Sequence, residues 1–200
     1  MMGNHSQSDP SLFDLISRRF AAAVISAHTY RGDATVTIRP EYLLDVAEFL
    51  KEDPSFQMNF LTDLTAVDYL TFGKIPPAKA AHFNAGVTAK PPSHIQDEAP
   101  WSGPATKARF EVVYHFFSLP LNQRFRLKVP VEESSPQVAS VAHLWRSADW
   151  FEREAWDMYG ITFKGHPNLK RLLMYPEFNG HPLRKDYPVI KRQPLIGPVN

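Results

Sequence analysis

The stretch "RFEVVYHFFSLPLNQRFRLKVPV", residues 109–131, decides the fold. Both of its halves alternate with a period of two, as strands do. In the first half Phe110, Val112, Tyr114 and Phe116 share one face, while Glu111, Val113, His115 and Phe117 share the other. Apolar side chains stand on both faces, which predicts a central, mostly buried strand. In the second half Phe125, Leu127, Val129 and Val131 point one way, and Arg124, Arg126 and Lys128 the other. One face of the sheet must therefore meet a core. The opposite face carries a basic stripe that is either solvated or set against an acidic partner surface.

On the N-terminal side, "SFQMNFLTDLTAVDYL" reads as one bent strand or two short ones, and "DATVTIRP" as a further strand. Pro40 suits the first turn of a helix with Leu43, Leu44, Ala47, Phe49 and Leu50 on its apolar side. Ser11 is placed to cap an earlier helix carrying Leu12, Leu15, Ile16 and Phe20. On the C-terminal side, Ser135 and Pro136 predict a helix that buries Val138, Val141, Leu144 and Trp145. Ser147 opens another, "ADWFEREAWDMYG", which stops at Gly160 as a C′ glycine. On it Trp150, Phe151, Ala155 and Met158 are expected to pack inward, with Glu152 and Trp156 on a second side. Arg153 is expected to pair with Asp149 and Asp157, four residues away on either side. The order α-β-α-β-β, insertion, β-β-α-α implies an α+β two-layer domain, a mixed or antiparallel sheet with helices on one side.

Three regions follow. Residues 1–10 read as a disordered N-terminus. Residues 11–163 form the domain, interrupted at about 73–107 by a Pro-rich insertion at a hairpin tip. Residues 164–200 form an extended, basic, Pro-punctuated arm that cannot build its own core. Only "LKRLLM" in that arm has the makings of a turn or two of helix.

Composition narrows the chemistry. A net charge of +1 over 200 residues gives no global field pointing to nucleic acid or membrane. With no cysteine there are no disulfides, thiolate nucleophiles or cysteine-ligated iron–sulfur clusters. No apolar run approaches the roughly 20 residues of a spanning helix, and the N-terminus shows neither a secretory signal nor a transit peptide. The expectation is a soluble cytoplasmic protein that meets a membrane only through partners. Charge is uneven, however: from Lys164 onward seven basic residues stand against Glu177 and Asp186 alone.

The arm holds two Gly-His-Pro turns, Gly165-His166-Pro167 and Gly180-His181-Pro182. Their histidines lie fifteen residues apart, neither a helical i, i+4 pair nor a zinc spacing. Glycine permits a positive φ, proline fixes the exit direction, and the imidazole between them can anchor a turn. Two orienting turns fit better than a metal site. Glu152 and Glu154, two apart on a helix, point away from each other and make a poor acid–base pair. No nucleophile elbow, phosphate loop or dinucleotide fingerprint is present. Tyr175, Phe178 and Tyr187 among basic residues raise nucleic-acid stacking, but dense prolines and the acidic remainder of the chain argue against it.

Residues 140–188, "SVAHLWRSADWFEREAWDMYGITFKGHPNLKRLLMYPEFNGHPLRKDYP", closely resemble the signature of one family of proton-translocating NADH:quinone oxidoreductase (respiratory complex I) components, the 30-kilodalton or C subunit family. The matching residues include Glu152, Arg153, Glu154, Asp157, Gly160, Gly165, His166, Pro167 and Arg171, then Gly180, His181, Pro182, Leu183, Arg184, Lys185, Asp186 and Tyr187. "LTDLTAVDYL" and "RFEVVYHFFSL" also resemble the family's central strands. The Pro-rich segment at about 73–107 departs from the pattern.

The resemblance implies a redox-inert peripheral-arm subunit. It would carry no catalytic, cofactor or metal residues, because FMN, iron–sulfur clusters and quinone sit on other subunits. It would brace the quinone-site subunit, of the 49-kilodalton type, and neighbouring iron–sulfur subunits on the cytoplasmic side of the inner membrane. The signature residues are then expected to be docking residues, with Arg171, Arg184 and Lys185 against an acidic groove. Two other readings stay open: the equivalent scaffold of a membrane-bound hydrogenase or formate hydrogenlyase, and a standalone His/carboxylate metal-dependent hydrolase.

Overall fold

A computed structural model describes residues 12–30, 32–72, 103–188, 190, 192 and 193. The expected disorder of residues 1–10, the Ser11 cap and most of the insertion lie outside the described residues. In chain order the elements are α1 (Leu12–Arg19), β1 (Val24–Tyr30), β2 (Asp33–Ile38), a 3-10 turn (Pro40–Tyr42), α2 (Leu43–Glu52), β3 (Phe60–Asp68), β4 (Phe110–Ser118), β5 (Gln123–Val131), β6 (Gln137–Ala139), α3 (Ala148–Tyr159) and β7 (Thr162–Lys164). Among the described residues no helix is long and apolar enough to cross a membrane.

The main sheet runs β1-β2-β5-β4-β3. All neighbours are antiparallel except β2 and β5, which pair in parallel, so the sheet is mixed. Residues 109–131 form two adjacent strands as expected, with Phe116 opposite Phe125 and Tyr114 opposite Leu127. Ile16 of α1, Leu43 and Leu50 of α2, and Ala148 and Ala155 of α3 join the core face in one buried cluster. The rings of Phe20, Phe49, Phe56 and Phe125 meet edge to face in sequence, at centroid distances of 5.4, 5.4 and 5.9 Å, linking α1 and α2 to the sheet. The insertion joins β3 to β4, consecutive antiparallel neighbours, and so interrupts a hairpin.

Four sequence expectations are corrected. The helix after Pro136 does not form: Gln137–Ala139 instead pairs in parallel with Thr162–Lys164. Val138, Val141 and Trp145 are buried nonetheless. Their three- and four-residue spacing came from a short strand followed by turns. The competing ladder and a distant carboxylate, Glu152, hold the Ser140 and Val141 backbone away from a helix. Strand β1 was missed, because at the sheet edge its Ile25 faces solvent and the apolar alternation is weak. Trp150 was expected inside but is 59% exposed, whereas Glu152 beside it is buried. Residues 169–174 form no helical turn: 169–171 are irregular and 172–174 bend.

One polar atom in the core stands out. The Tyr114 hydroxyl is buried with no hydrogen-bond partner among the described residues, and burial pushes its pKa well up. An unpaired buried hydroxyl costs about 1–3 kcal/mol. Tyr114→Phe is therefore expected to leave stability unchanged or to raise it by about 1 kcal/mol, read as the midpoint of urea unfolding. A clear loss would mean that the hydroxyl has a partner.

Candidate functional site

The signature residues converge on a seam where the arm lies along α3 and crosses the end of the sheet. Every helix leaves its last carbonyls without intrahelical partners. At the C-terminus of α3 the arm supplies them in order. His181 Nδ1 donates to the Asp157 carbonyl at 2.9 Å, Leu183 N–H to the Met158 carbonyl at 3.1 Å, and Arg184 Nε to the Tyr159 carbonyl at 2.5 Å. The Arg184 cation also interacts favourably with the negative end of the helix dipole. Gly160 ends the helix at φ 74°, and its amide bonds the Trp156 carbonyl. A Cβ on Gly160 would come within 2.7 Å of the His181 ring and 2.8 Å of Arg184 Nη2. The position thus needs glycine both for its backbone angle and for the closeness of the arm.

The Asp157 side chain holds the next stretch of the arm. Its Oδ2 accepts the successive amides of Leu172, Leu173 and Met174 at 3.1, 2.9 and 2.9 Å, and its Oδ1 meets Arg171 Nη1 at 2.6 Å. Burial would raise this carboxyl, but the Met174 amide, Arg171 and the remaining amides outweigh burial and hold it below its ordinary value. The Arg171 guanidinium also bonds the Phe178 carbonyl at 2.7 Å. Arg153, expected to pair with Asp149 and Asp157, instead donates to the carbonyls of Lys170 and Arg171, each at 3.2 Å. Tertiary partners from the arm displace the helical i, i+4 pairs.

The two Gly-His-Pro turns anchor opposite ends of α3. Gly165 and Gly180 have φ of 82° and 113°, as glycine permits. His166 Nδ1 accepts the Asn168 amide, so in the neutral ring the proton sits on Nε2 and is donated to the Asp149 carbonyl at 3.0 Å. The Asp149 carboxylate oxygen, 3.2 Å from the same nitrogen, is left without a hydrogen bond among the described residues. Asp149 and Asp157 stand eight residues apart, about 12 Å along a helix. Two imidazoles fixed to carbonyls that far apart do not converge on one metal ion. Burial and then the neighbouring arginines hold His181 below its ordinary pKa, against the raising effect of its bond to Asp157.

A second knot fastens the far end of the arm to the sheet. Arg109, at the start of β4, grips Asp68, at the end of β3, through Nε at 3.1 Å and Nη2 at 2.9 Å. The same guanidinium reaches Glu133 at 2.5 Å and Asp186 of the arm at 2.8 Å. Asp68 Oδ2 also accepts the Lys185 amide at 2.9 Å. Burial opposes ionisation of Asp68, but Arg109 and the Lys185 and Leu70 amides keep it below the usual carboxylate range. Sequence reading missed Asp68, Arg109 and Glu133. The available signal was Asp68 itself, a carboxylate in register with Leu64 and Ala66 on the core face, where a charge needs a partner.

The remaining signature residues divide. Arg171 and Arg184, expected against an acidic groove, are engaged within the chain, on Asp157 and on the Tyr159 carbonyl. Pro167 and Pro182 lie in the turns they were expected to shape. Tyr187 stacks on Phe178 at 6.0 Å, and Phe178 meets Tyr175 edge-on at 5.6 Å, so these rings are spent on one another. Glu154 and the Lys185 ammonium are exposed and bond no described residue. Leu183 and Leu173 turn outward, 47% and 55% exposed.

Glu152 is a different case, because it serves the domain rather than the arm. Fully buried, it accepts from Ser140 Oγ at 2.6 Å and from the Val141 amide at 2.7 Å. Burial pushes its carboxyl up to about 7 despite both bonds.

Residues 36–193 match the family described as the respiratory-chain NADH dehydrogenase 30 kDa subunit. The chain is 43% identical over 181 residues to the C subunit of NADH-quinone oxidoreductase from Coxiella burnetii (strain RSA 493), covering 90% of this chain and 78% of that protein. It is 42% identical over 174 residues to the counterpart from Citrifermentans bemidjiense, covering 87% and 86%. Among solved structures it resembles the trypsin-resistant fragment (1-134) of Nqo5, at 29% identity and a TM-score of 0.54, over 78% of this chain and 96% of the fragment. A chain of a membrane-bound sulfane sulfur reductase, an archaeal respiratory membrane complex, shares the fold at 17% identity and a TM-score of 0.59, over 89% and 86% of the two chains.

Two outcomes follow from the seam. Gly160→Ala is expected to destabilise the chain by at least about 1–2 kcal/mol from the left-handed backbone alone. Part of the loss should vanish in a His181→Ala background, where the clash with the imidazole is gone and that with Arg184 remains; additive losses in thermal melts would mean that Gly160 and His181 do not touch. For Glu152 the folded state holds the proton more tightly than the unfolded chain. Its contribution to stability is full below about pH 4.5, declines as pH rises, and is gone above about pH 7. Relative to Glu152→Gln, the native chain should lose about 3 kcal/mol over that window. Parallel stability–pH curves would overturn this.

Proposed function

The chain belongs to the respiratory-chain NADH dehydrogenase 30 kDa subunit family and is a subunit of NADH-quinone oxidoreductase; from that premise we propose that it is a bracing subunit that carries no electron carrier of its own. The observation that supports this reading is the way the arm is held. Its polar groups are used inward, on the carbonyls of α3, on Asp157 and on Arg109, while its apolar side chains Leu173 and Leu183 are left facing out. A segment without a core of its own is thereby turned into a rigid strip. Its outward face offers leucines and the Lys185 ammonium to another protein, with Glu154 exposed on α3.

The partner we propose for this strip is the quinone-site subunit of the 49-kilodalton type, with the iron–sulfur subunits as neighbours, on the cytoplasmic side of the inner membrane. Electrons would pass through those partners from FMN through iron–sulfur clusters to quinone, and this chain would hold their geometry. The absence of cysteine from the sequence fits a subunit that ligates no cluster. Membrane contact would come only through the complex.

The test is a Leu173→Asp, Leu183→Asp double variant. Both side chains are exposed, so the melting of the purified chain should move little, within about 0.5 kcal/mol per site. Assembly should fall sharply, read as the loss of this chain from the NADH-oxidising band on a native gel. Normal assembly would show that the strip faces solvent in the complex.

A further inference from the structure

The three helices pack on one face of the sheet. On the opposite face, at the end where β3, β4 and β5 meet, a groove of about 540 Å³ opens between Phe60, Phe117, Leu119, His115, Arg124 and Arg126. Its apolar wall is exposed: Phe60 is 47% and Leu119 65% accessible. Among the described residues neither guanidinium of its charged wall makes an ion pair, although Asp33 lines the groove and Asp63 stands opposite His115. Lys128, next along β5, is tied to Glu111 at 2.8 Å. Among the described residues Arg126 hydrogen-bonds the Thr35 hydroxyl alone, at 3.3 Å. Arg124 bonds no described residue, and Asp33 is the one carboxylate lining the groove. Burial and then Arg126 hold His115 below its ordinary pKa, so it adds no third cation near neutrality.

An apolar patch beside two guanidiniums is complementary to a segment of the opposite character. We infer that this groove receives a short acidic–apolar segment of another subunit of the complex, with an apolar side chain among Phe60, Phe117 and Leu119 and carboxylates against Arg124 and Arg126. The fork of each guanidinium suits a carboxylate. This second contact lies on the sheet face opposite α3, away from the arm. The inference rests on the reading of the chain as a subunit of the complex.

The test places a benzophenone amino acid at Leu119 in the full chain, within the assembled complex, and identifies the peptide captured on illumination. The expected product is a peptide of another subunit with at least two carboxylates close to the attachment point. Arg124→Glu with Arg126→Glu should lower the yield about tenfold or more, and Arg124→Lys should largely keep it. Capture of phospholipid, of this chain itself or of a peptide without carboxylates would overturn the inference. So would a yield indifferent to charge reversal. Comigration of the labelled chain with NADH-oxidising activity is scored separately. A chain that fails to comigrate counts against its proposed bracing role. A chain that comigrates but captures nothing at Leu119 counts against the groove alone.

Discussion

The end of α3 imposes the condition on which the arm depends. Three backbone carbonyls and one buried carboxylate come together there, and none can be left without a donor. The chain meets that demand from its own sequence 14 to 25 residues later, with an imidazole, backbone amides and two guanidiniums. The demand is local and directional, and it is enough to order a segment too rich in proline to form a helix or a ladder. Ordering such a segment costs about 1–2 kcal/mol per residue in backbone entropy. The bonds to Asp157 and to the helix end, together with the stacked rings of Phe178 and Tyr187, oppose that cost.

Arg109 extends the same logic to the sheet. One guanidinium holds carboxylates from the end of β3, from the loop after β5 and from the arm. Breaking a buried pair of this kind costs about 3–5 kcal/mol, because the partner is left charged and unpaired. The knot sits where the insertion leaves and re-enters the sheet, so that long loop starts and ends on a fixed base whatever its own length. Charged residues at the two ends of the arm are therefore structural before they are functional, and recognition falls to side chains the knots do not use.

Much of this was legible in the sequence where a repeating pattern carried the signal. Strict alternation from Phe110 to Val131 gave the two strands and their faces. The glycines of the Gly-His-Pro turns gave the left-handed backbone, and Gly160 gave the helix end. Reading failed where the partner is distant. Asp68 and Arg109 lie 41 residues apart across the insertion, so no spacing rule joins them. Arg153 had two carboxylates at helical spacing, yet the carbonyls of Lys170 and Arg171 took its donors. Val138, Val141 and Trp145 imitated a helical period while belonging to a strand and a turn. Burial was read correctly there and geometry was not, because apolar spacing records what must be hidden rather than how the backbone runs.

The separation between α3 and its caps has a consequence for the order in which the molecule is made. The Tyr159 carbonyl is satisfied by Arg184, 25 residues further on. A ribosome adding about 5–20 residues per second needs about 1–5 s to supply those residues. Asp157 lacks its donors until residues 171–174 are added, and the last carbonyl of α3 lacks its own until Arg184 follows. Residues added later meet a need created earlier, and the end of α3 reaches its final form only once Arg184 has been made.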